Sequence, residues 1–343
     1  MKIKVNETKY YRRIVVSALL SIFIMSNVWA SRFVKVATIG GRPSFFFDKN
    51  KGSQNFIDRI MVFWRDQIDQ VLADKPDLIL LPEICDIPTN LKAGEWKEYL
   101  QVRNNQVTDL FSSIARANHC YIAFGTMRID KEGNFRNSGV LLDRNGKVTG
   151  IYNKNFPTIG EIEDGIKPGN EVPVFQCDFG RVAFAICFDL NFKELLAKYE
   201  AEKPDIILIS SNYHGNFMQQ LWAYWCSSFF VGSINGGGTP SEIRNPLGDV
   251  IASSTNYFDF AVATINLDSR VVHLDNNFGK LDTIKRKYGR AVNITDPGRL
   301  GPVLLSYEAD DYNIDKIIKE FDIELIDPYF NRSRKKRAEA LQK

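Results

Sequence analysis

Arg181-Val182-Ala183-Phe184-Ala185-Ile186-Cys187 runs directly into Phe188-Asp189-Leu190-Asn191-Phe192. The first stretch is short, apolar after its arginine and bounded by Gly180, which reads as a buried strand. Asn191 is then placed to cap a helix over Phe192-Lys193-Glu194-Leu195-Leu196-Ala197-Lys198-Tyr199. A thiol is therefore expected at a sharp strand-to-helix turn, a geometry that presents one side chain at a sheet edge beside unpaired backbone N–H groups. Packing alone also accounts for such a cysteine, since free cysteine is among the most buried residue types. The rest of the chain has to supply a base and a charge partner before Cys187 reads as chemical.

Working outward, strands and helices alternate. Phe33–Ile39 is a β run, and a helix follows with Phe56, Ile60, Trp64, Ile68 and Val71 on one face. Leu78-Ile79-Leu80-Leu81 is a wholly apolar strand that stops at Pro82-Glu83. A second helix carries Val107, Leu110, Phe111 and Ile114 into a strand at Tyr121–Gly125. Hairpin turns are expected at Arg144-Asn145-Gly146-Lys147 and Asp178-Phe179-Gly180. Lys75-Pro76-Asp77-Leu78-Ile79-Leu80 recurs as Lys203-Pro204-Asp205-Ile206-Ile207-Leu208. Two related helix-then-strand halves with hairpins between them predict an α/β fold, a four-layer α-β-β-α sandwich.

The ends carry other signals. Lys2, Lys4, Lys9, Arg12 and Arg13 precede an apolar stretch from Ile14 to Val28, and Val28-Trp29-Ala30 offers a cleavage pattern. Residues 1–30 read as a secretory signal peptide cut near Ala30, with an uncleaved membrane anchor as the alternative. The segment holds five basic residues and one glutamate, so its loss takes the net charge from +3 to −1. A mildly acidic remainder excludes a nucleic-acid binder, and the basic run Arg332–Arg337 is a solvated tail. Residues 31–270 are read as one domain and 271–343 as a C-terminal extension packing on it or on a partner subunit. Five cysteines leave at least one unpaired in an exported chain. If that one is Cys187, then Cys85, Cys120, Cys177 and Cys226 pair in three ways or not at all. No metal-ligand spacing occurs and no cofactor is called for.

Two further residues give Cys187 a chemistry. A thiol nucleophile needs a proton acceptor and an oxyanion site. Glu83 ends its apolar strand, so it and Cys187 meet on the same rim if both strands are parallel. Lys154 lies in Tyr152-Asn153-Lys154-Asn155-Phe156-Pro157 among aromatic residues, with Glu161 and Glu163 after a Pro-Thr-Ile-Gly loop that turns a carboxylate back to it. Tyr213, His214 and Asn216, after the strand Ile206–Ser210, are the candidates for substrate contact. Phe45-Phe46-Phe47 and Trp222 are candidates for an apolar wall.

Leu81-Pro82-Glu83, Tyr152-Asn153-Lys154 with Pro157, Glu161 and Pro168-Gly169, and Ala185-Ile186-Cys187-Phe188-Asp189 resemble the Glu, Lys and Cys motifs of the nitrilase superfamily of carbon–nitrogen hydrolases. The likeness runs from Phe33 to about Asp268, with 71 and 33 residues separating the three motif residues. It implies the α-β-β-α sandwich, a catalytic Glu83–Lys154–Cys187 triad, a supporting Glu161 and an oxyanion contact from the Phe188 backbone N–H. Phe188-Asp189 after the cysteine is closer to the amidase and carbamoyl-hydrolase branches than to the nitrile-hydrolysing one. One departure stands out: Trp225–Phe230 lacks the Arg-Ala-x-Glu charges often found there in the family. The expected activity is hydrolysis of a small amide, ureido or carbamoyl compound by an exported homodimer or higher homo-oligomer. The alternatives are an acyltransferase, a nitrilase and a non-catalytic binding relative.

Overall fold

The computed structural model describes residues 33–342 apart from 237, 296, 297 and 300. The expected signal segment lies outside the described residues. Strand β1 (Phe33–Ile39) leads to helix α1 (Gly52–Leu72) and strand β2 (Leu78–Leu80). Helices α2 (Trp96–Arg103) and α3 (Gln106–Asn118) precede β3 (Tyr121–Ile129), β4 (Phe135–Leu142) and β5 (Val148–Asn153). The short helix α4 (Ile159–Glu163) is followed by β6 (Val174–Gln176), β7 (Arg181–Ile186), α5 (Lys193–Glu202), β8 (Ile206–Ser211), α6 (Phe217–Cys226) and β9 (Phe229–Ile234). Next come β10 (Glu242–Arg244), β11 (Val250–Ser253), β12 (Phe260–Asn266) and β13 (Ser269–His273). The last elements are α7 (Phe278–Tyr288), β14 (Val292–Thr295), β15 (Pro302–Tyr307), α8 (Ile314–Glu320) and α9 (Ile326–Leu341).

Two six-stranded sheets form, ordered β12-β1-β2-β3-β4-β5 and β11-β10-β9-β8-β7-β6. In each, three central strands are parallel: β1, β2 and β3 in one, β7, β8 and β9 in the other. Side chains alternate between two buried faces, as parallel strands covered on both sides require. Val36, Leu78, Leu80, Val182, Phe184, Ile186, Ile206 and Leu208 fill the space between the sheets. Ala37, Ile79 and Leu81 face the layer of α1, α2 and α3, and Ala183, Ile207 and Ile209 face α5 and α6. This is the four-layer α-β-β-α sandwich. A third sheet, β13-β15-β14, gathers α7 and α8 around a separate apolar cluster. Leu247, Val271, Leu304 and Ile326 join this last unit to the body.

The repeated Lys-Pro-Asp has one structural role in both halves. Lys75 and Lys203 take left-handed backbone angles (φ 53° and 49°), ending α1 and α5. Asp77 then accepts the Lys35 N–H on its carboxylate (2.9 Å) and returns its own N–H to the Lys35 carbonyl. Asp205 does the same with Arg181 (2.7 Å). Each aspartate thus starts its strand in register with the neighbouring parallel strand, and that register carries the C-terminal ends of β2 and β7 to one rim. Side chains between the sheets fix this rim: the Ser210 hydroxyl donates to the Leu81 carbonyl (2.8 Å) and Thr38 to that of Gly232 (2.7 Å).

Some sequence expectations shift. Asn191 does not cap a helix; Cys187–Asn191 is one 3-10 turn, α5 begins at Lys193, and the Asn191 side chain instead donates to the Phe188 carbonyl and the Tyr213 hydroxyl. The basic run Arg332–Arg337 lies on the exposed middle of α9. All five cysteines are free and buried. Among the described residues no helix is long and apolar enough to cross a membrane, and no metal-ligand cluster occurs.

The Phe184 ring packs where Gly139 of the facing sheet has no side chain; a Cβ there would come within 2.6 Å of it. Phe184→Ala is expected to lower unfolding free energy by about 3–5 kcal/mol, because it opens a cavity between two layers that cannot collapse. Chemical denaturation followed by tryptophan fluorescence measures this, and a loss under about 1 kcal/mol would contradict the packing described.

Candidate active site

Glu83, Lys154, Glu161 and Cys187 come from four separate segments and meet at the rim. Glu83 lies just past β2, where Ile84 adopts φ 41°, a conformation a β-branched residue rarely takes. Gly125 of β3 lies against this turn: a Cβ at Gly125 would be 2.6 Å from the Glu83 Cα. The turn exists because β3 has no side chain there.

Lys154, only 2% exposed, places its Nζ 2.8 Å from Glu83 Oε1 and 2.8 Å from Glu161 Oε2. Glu161 is held by its own short helix: Thr158 accepts the Glu161 N–H, and Glu161 Oε2 accepts the Thr158 N–H at 2.7 Å. The segment expected as a loop is therefore a capped turn of helix that aims the carboxylate. Asn137 of β4 completes the arrangement, since its Nδ2 donates to Glu83 Oε1 and to Glu161 Oε1, each at 2.8 Å. Glu83 Oε2 in turn accepts the backbone N–H (3.2 Å) and the side-chain Nδ2 (2.8 Å) of Asn212. Burial disfavours the Lys154 ammonium, but the Glu83 and Glu161 charges outweigh it and raise its pKa. Burial opposes ionisation of Glu161 too, yet Lys154 and the hydrogen bonds hold its carboxyl below the usual range.

Cys187 sits at φ 48° on the 3-10 turn, 9% exposed. Asp189 builds that turn. It accepts the Ile186 N–H (2.8 Å), the Tyr152 hydroxyl (2.7 Å) and the Phe156 N–H (2.8 Å), tying the cysteine turn to the segment that carries Lys154. Burial pushes Asp189 up to about 6 against those three donors. The Cys187 thiol is pushed up to about 12, first by burial and then by the Glu83 charge; Lys154, the Asn212 N–H and the Ser211 hydroxyl offset only part of this. The thiol therefore keeps its proton at neutral pH and needs an acceptor at the moment of attack.

The three substrate candidates separate. The Tyr213 hydroxyl accepts from Asn191 beside the cysteine turn (2.9 Å). His214 is engaged elsewhere, with Nε2 3.2 Å from Glu242 and Nδ1 accepting the Asn216 N–H. Trp222 is fully buried among α5, α6 and their sheet, and Phe45 and Phe47 pack on the α1 core. Asn137, Asn212 and the anchoring role of Asp189 are missing from the sequence reading. Their signal is faint: a polar residue inside β4, and a polar Ser210-Ser211-Asn212 stop to an apolar strand.

The profile of the carbon-nitrogen hydrolase family matches residues 35–268. The chain belongs to that family, within the nitrilase superfamily. It is similar to a β-ureidopropionase of Arabidopsis thaliana, with 24% identity over 48% of this chain and 43% of the relative. An omega-amidase of Xenopus laevis is 26% identical over 36% of this chain and 46% of its own length. The chain spans about half the length of the curated relatives it matches. An amidase from Nesterenkonia sp. superposes with a TM-score of 0.58 at 15% identity, covering 68% of this chain and 90% of that one. Saccharomyces cerevisiae Nit3 superposes with 0.59 at 13% identity over 80% and 99%. These superpositions establish the shared sandwich.

Two measurements check the site. Asp189→Ala leaves three buried donors without their acceptor, at about 1–3 kcal/mol each, so a marked loss of stability is expected. Because the thiol pKa is raised, iodoacetamide alkylation of Cys187 should be slow at pH 7 and climb about tenfold per pH unit above it. Glu83→Gln removes a charge that opposes the thiolate and should speed alkylation at fixed pH. A rate already at its plateau at pH 7 would contradict the raised pKa.

Proposed function

We propose that this hydrolase cleaves a small non-peptide amide, ureido or carbamoyl compound through a thioester on Cys187, with Glu83 as base and acid and Lys154 as electrostatic partner. One observation carries the reading: a protonated thiol on a left-handed turn beside a buried carboxylate whose position is locked by Lys154, Asn137 and Asn212.

The chemistry follows from those contacts. Glu83 takes the thiol proton as sulfur attacks the carbonyl carbon. Negative charge develops on the substrate oxygen, where the Lys154 ammonium and the Phe188 backbone N–H stabilise it, each donor contributing about 3 kcal/mol. The C–N bond breaks, nitrogen leaves with the proton from Glu83, and the acyl group remains as a thioester. Water attacks that carbon and gives a proton to Glu83; the C–S bond breaks, sulfur recovers the proton and the acid is released. Glu161 keeps Lys154 charged and Asn137 in place. Two of the similar proteins support an amide-type substrate by name: the omega-amidase and the amidase from Nesterenkonia sp..

Export remains part of this proposal, carried by residues 1–30. Five unpaired thiols are uncommon in an oxidising compartment, and burial is what would keep them reduced there. The N-terminal residue of protein recovered from its native host tests this: a start near Ser31 is expected.

Cys187→Ala should abolish turnover of small amides, and Glu83→Gln should lower it by about 10²–10⁴-fold while an acyl adduct on Cys187 becomes visible by intact mass. Absence of any adduct across a panel of amides, carbamoyl and ureido compounds would overturn the proposal. Added amines should leave free acid as the sole product; an N-acyl amine would instead indicate acyl transfer.

A further inference from the structure

Lys154 gives two of its three donors to Glu83 and Glu161, and the third is the one that meets the reacting oxygen in the chemistry proposed above, so none is left for a second anionic group on a substrate. Another cation stands at the same rim. Arg42 follows Gly40-Gly41 beyond β1, where the Gly40 N–H donates to the Asp259 carbonyl and the Gly41 N–H to that of Ile234. Its Nε (3.0 Å) and Nη2 both donate to the Asn235 carbonyl. Asn235 Nδ2 donates to Asn212 Oδ1 (3.1 Å), and Asn212 donates to Glu83. Arg42 is thus linked to the base through two amides.

The orientation of this chain is set at Glu83. A carboxylate only accepts, so Asn212 turns its Nδ2 to it and offers Oδ1 to Asn235, which must present Nδ2. Asn235 Oδ1 is left without a partner although the residue is 6% exposed. Arg42 is solvent-exposed, and no carboxylate of the described residues pairs with it. Asp259, whose side chain flanks Gly41, makes no ion pair with it either. A buried orphan acceptor and a guanidinium whose Nε–Nη2 edge holds the Asn235 carbonyl, with its Nη1 side paired to no described carboxylate, therefore lie at the same residue on the rim. A guanidinium edge matches the two oxygens of a carboxylate. Glu83 and Glu161 close by weigh against a dianion such as phosphate.

We infer that Arg42 is a specificity-determining residue that binds the carboxylate of the substrate, which is then an amide or carbamoyl derivative carrying a free acid at its far end. Asn235 Oδ1 accepts an N–H or O–H that the same molecule brings. Only the turnover arm of the test below rests on the hydrolase chemistry proposed above.

The first arm compares kcat/KM for succinamate, glutaramate and adipamate with butyramide, valeramide and hexanamide. The best half-amide should exceed its neutral counterpart by about tenfold or more, as expected for a charge-paired contact. Arg42→Gln should erase that ratio through KM, Arg42→Lys should restore part of it, and added salt should weaken it. Equal rates for charged and neutral amides would overturn the inference. So would an Arg42→Gln loss of equal size on both, because Arg42 would then act only through Asn235 and Asn212 on Glu83.

The second arm needs no turnover. Succinate, glutarate or adipate should protect Cys187 from iodoacetamide in the parent protein and fail to do so in Arg42→Gln. Absence of protection by all three overturns the anion site. Protection without hydrolysis of any amide would leave the site standing and count against the proposed hydrolase substrate instead.

Discussion

One buried ammonium between two carboxylates organises this protein. Taking Lys154, Glu83 and Glu161 out of water is costly, and mutual attraction offsets that cost only where geometry is close and the remaining oxygens are hydrogen-bonded. The structure meets this condition through Asn137, which bridges both carboxylates, through Asn212, which takes the second Glu83 oxygen, and through the Thr158 N–H, which shares Glu161 Oε2 with Lys154. Apart from Thr158 and Glu161, which share α4, these groups come from different segments. Removing any one leaves a charge or a polar atom unpaired in a low-dielectric place. The arrangement is therefore all or nothing, and it constrains where β2, β4, α4 and the loop after β8 can lie.

The thiol is placed by a second device that meets the first. Asp189 draws the Cys187 turn and the Lys154 segment onto one carboxylate, so thiol and cation cannot move apart without breaking buried hydrogen bonds. Backbone strain gathers at the same rim, at Ile84 beside Glu83 and at Cys187 itself. Such strain persists only where the surroundings over-determine it. Here Gly125 and the inter-sheet hydroxyl bonds of Thr38 and Ser210 do so. The raised thiol pKa belongs to the same design: burial first, and the Glu83 charge second, hold the Cys187 proton in place.

Much of the fold was legible in the chain. Period-two burial on both faces marks the parallel strands, the two hairpin turns fall where they were read, and the Lys-Pro-Asp echo corresponds to one register device used twice. Glu83, Lys154, Glu161 and Cys187 were named from strand ends and neighbouring acids, and the structure brings all four together. The errors were local. Asn191 stands where a cap would suit, but a 3-10 turn shortens the path and gives its amide to Tyr213. His214 lies in a rim loop, and its Nε2 is 3.2 Å from Glu242 on β10, a contact that no local pattern reveals.

By itself, the sequence determined which strands are buried, where they stop, and which acid, base and thiol stand at those stops, because burial periodicity and strand-ending residues are local properties of the chain. Only the tertiary structure decided what those groups touch. Asn137, Asn212, Asn235 and Arg42 are ordinary polar residues in their own segments. They acquire meaning because two sheets, packed face to face, bring positions up to 194 residues apart within hydrogen-bond distance at one rim. A buried polar group must find a partner, and which partner it finds is a matter of layer packing that no local pattern records.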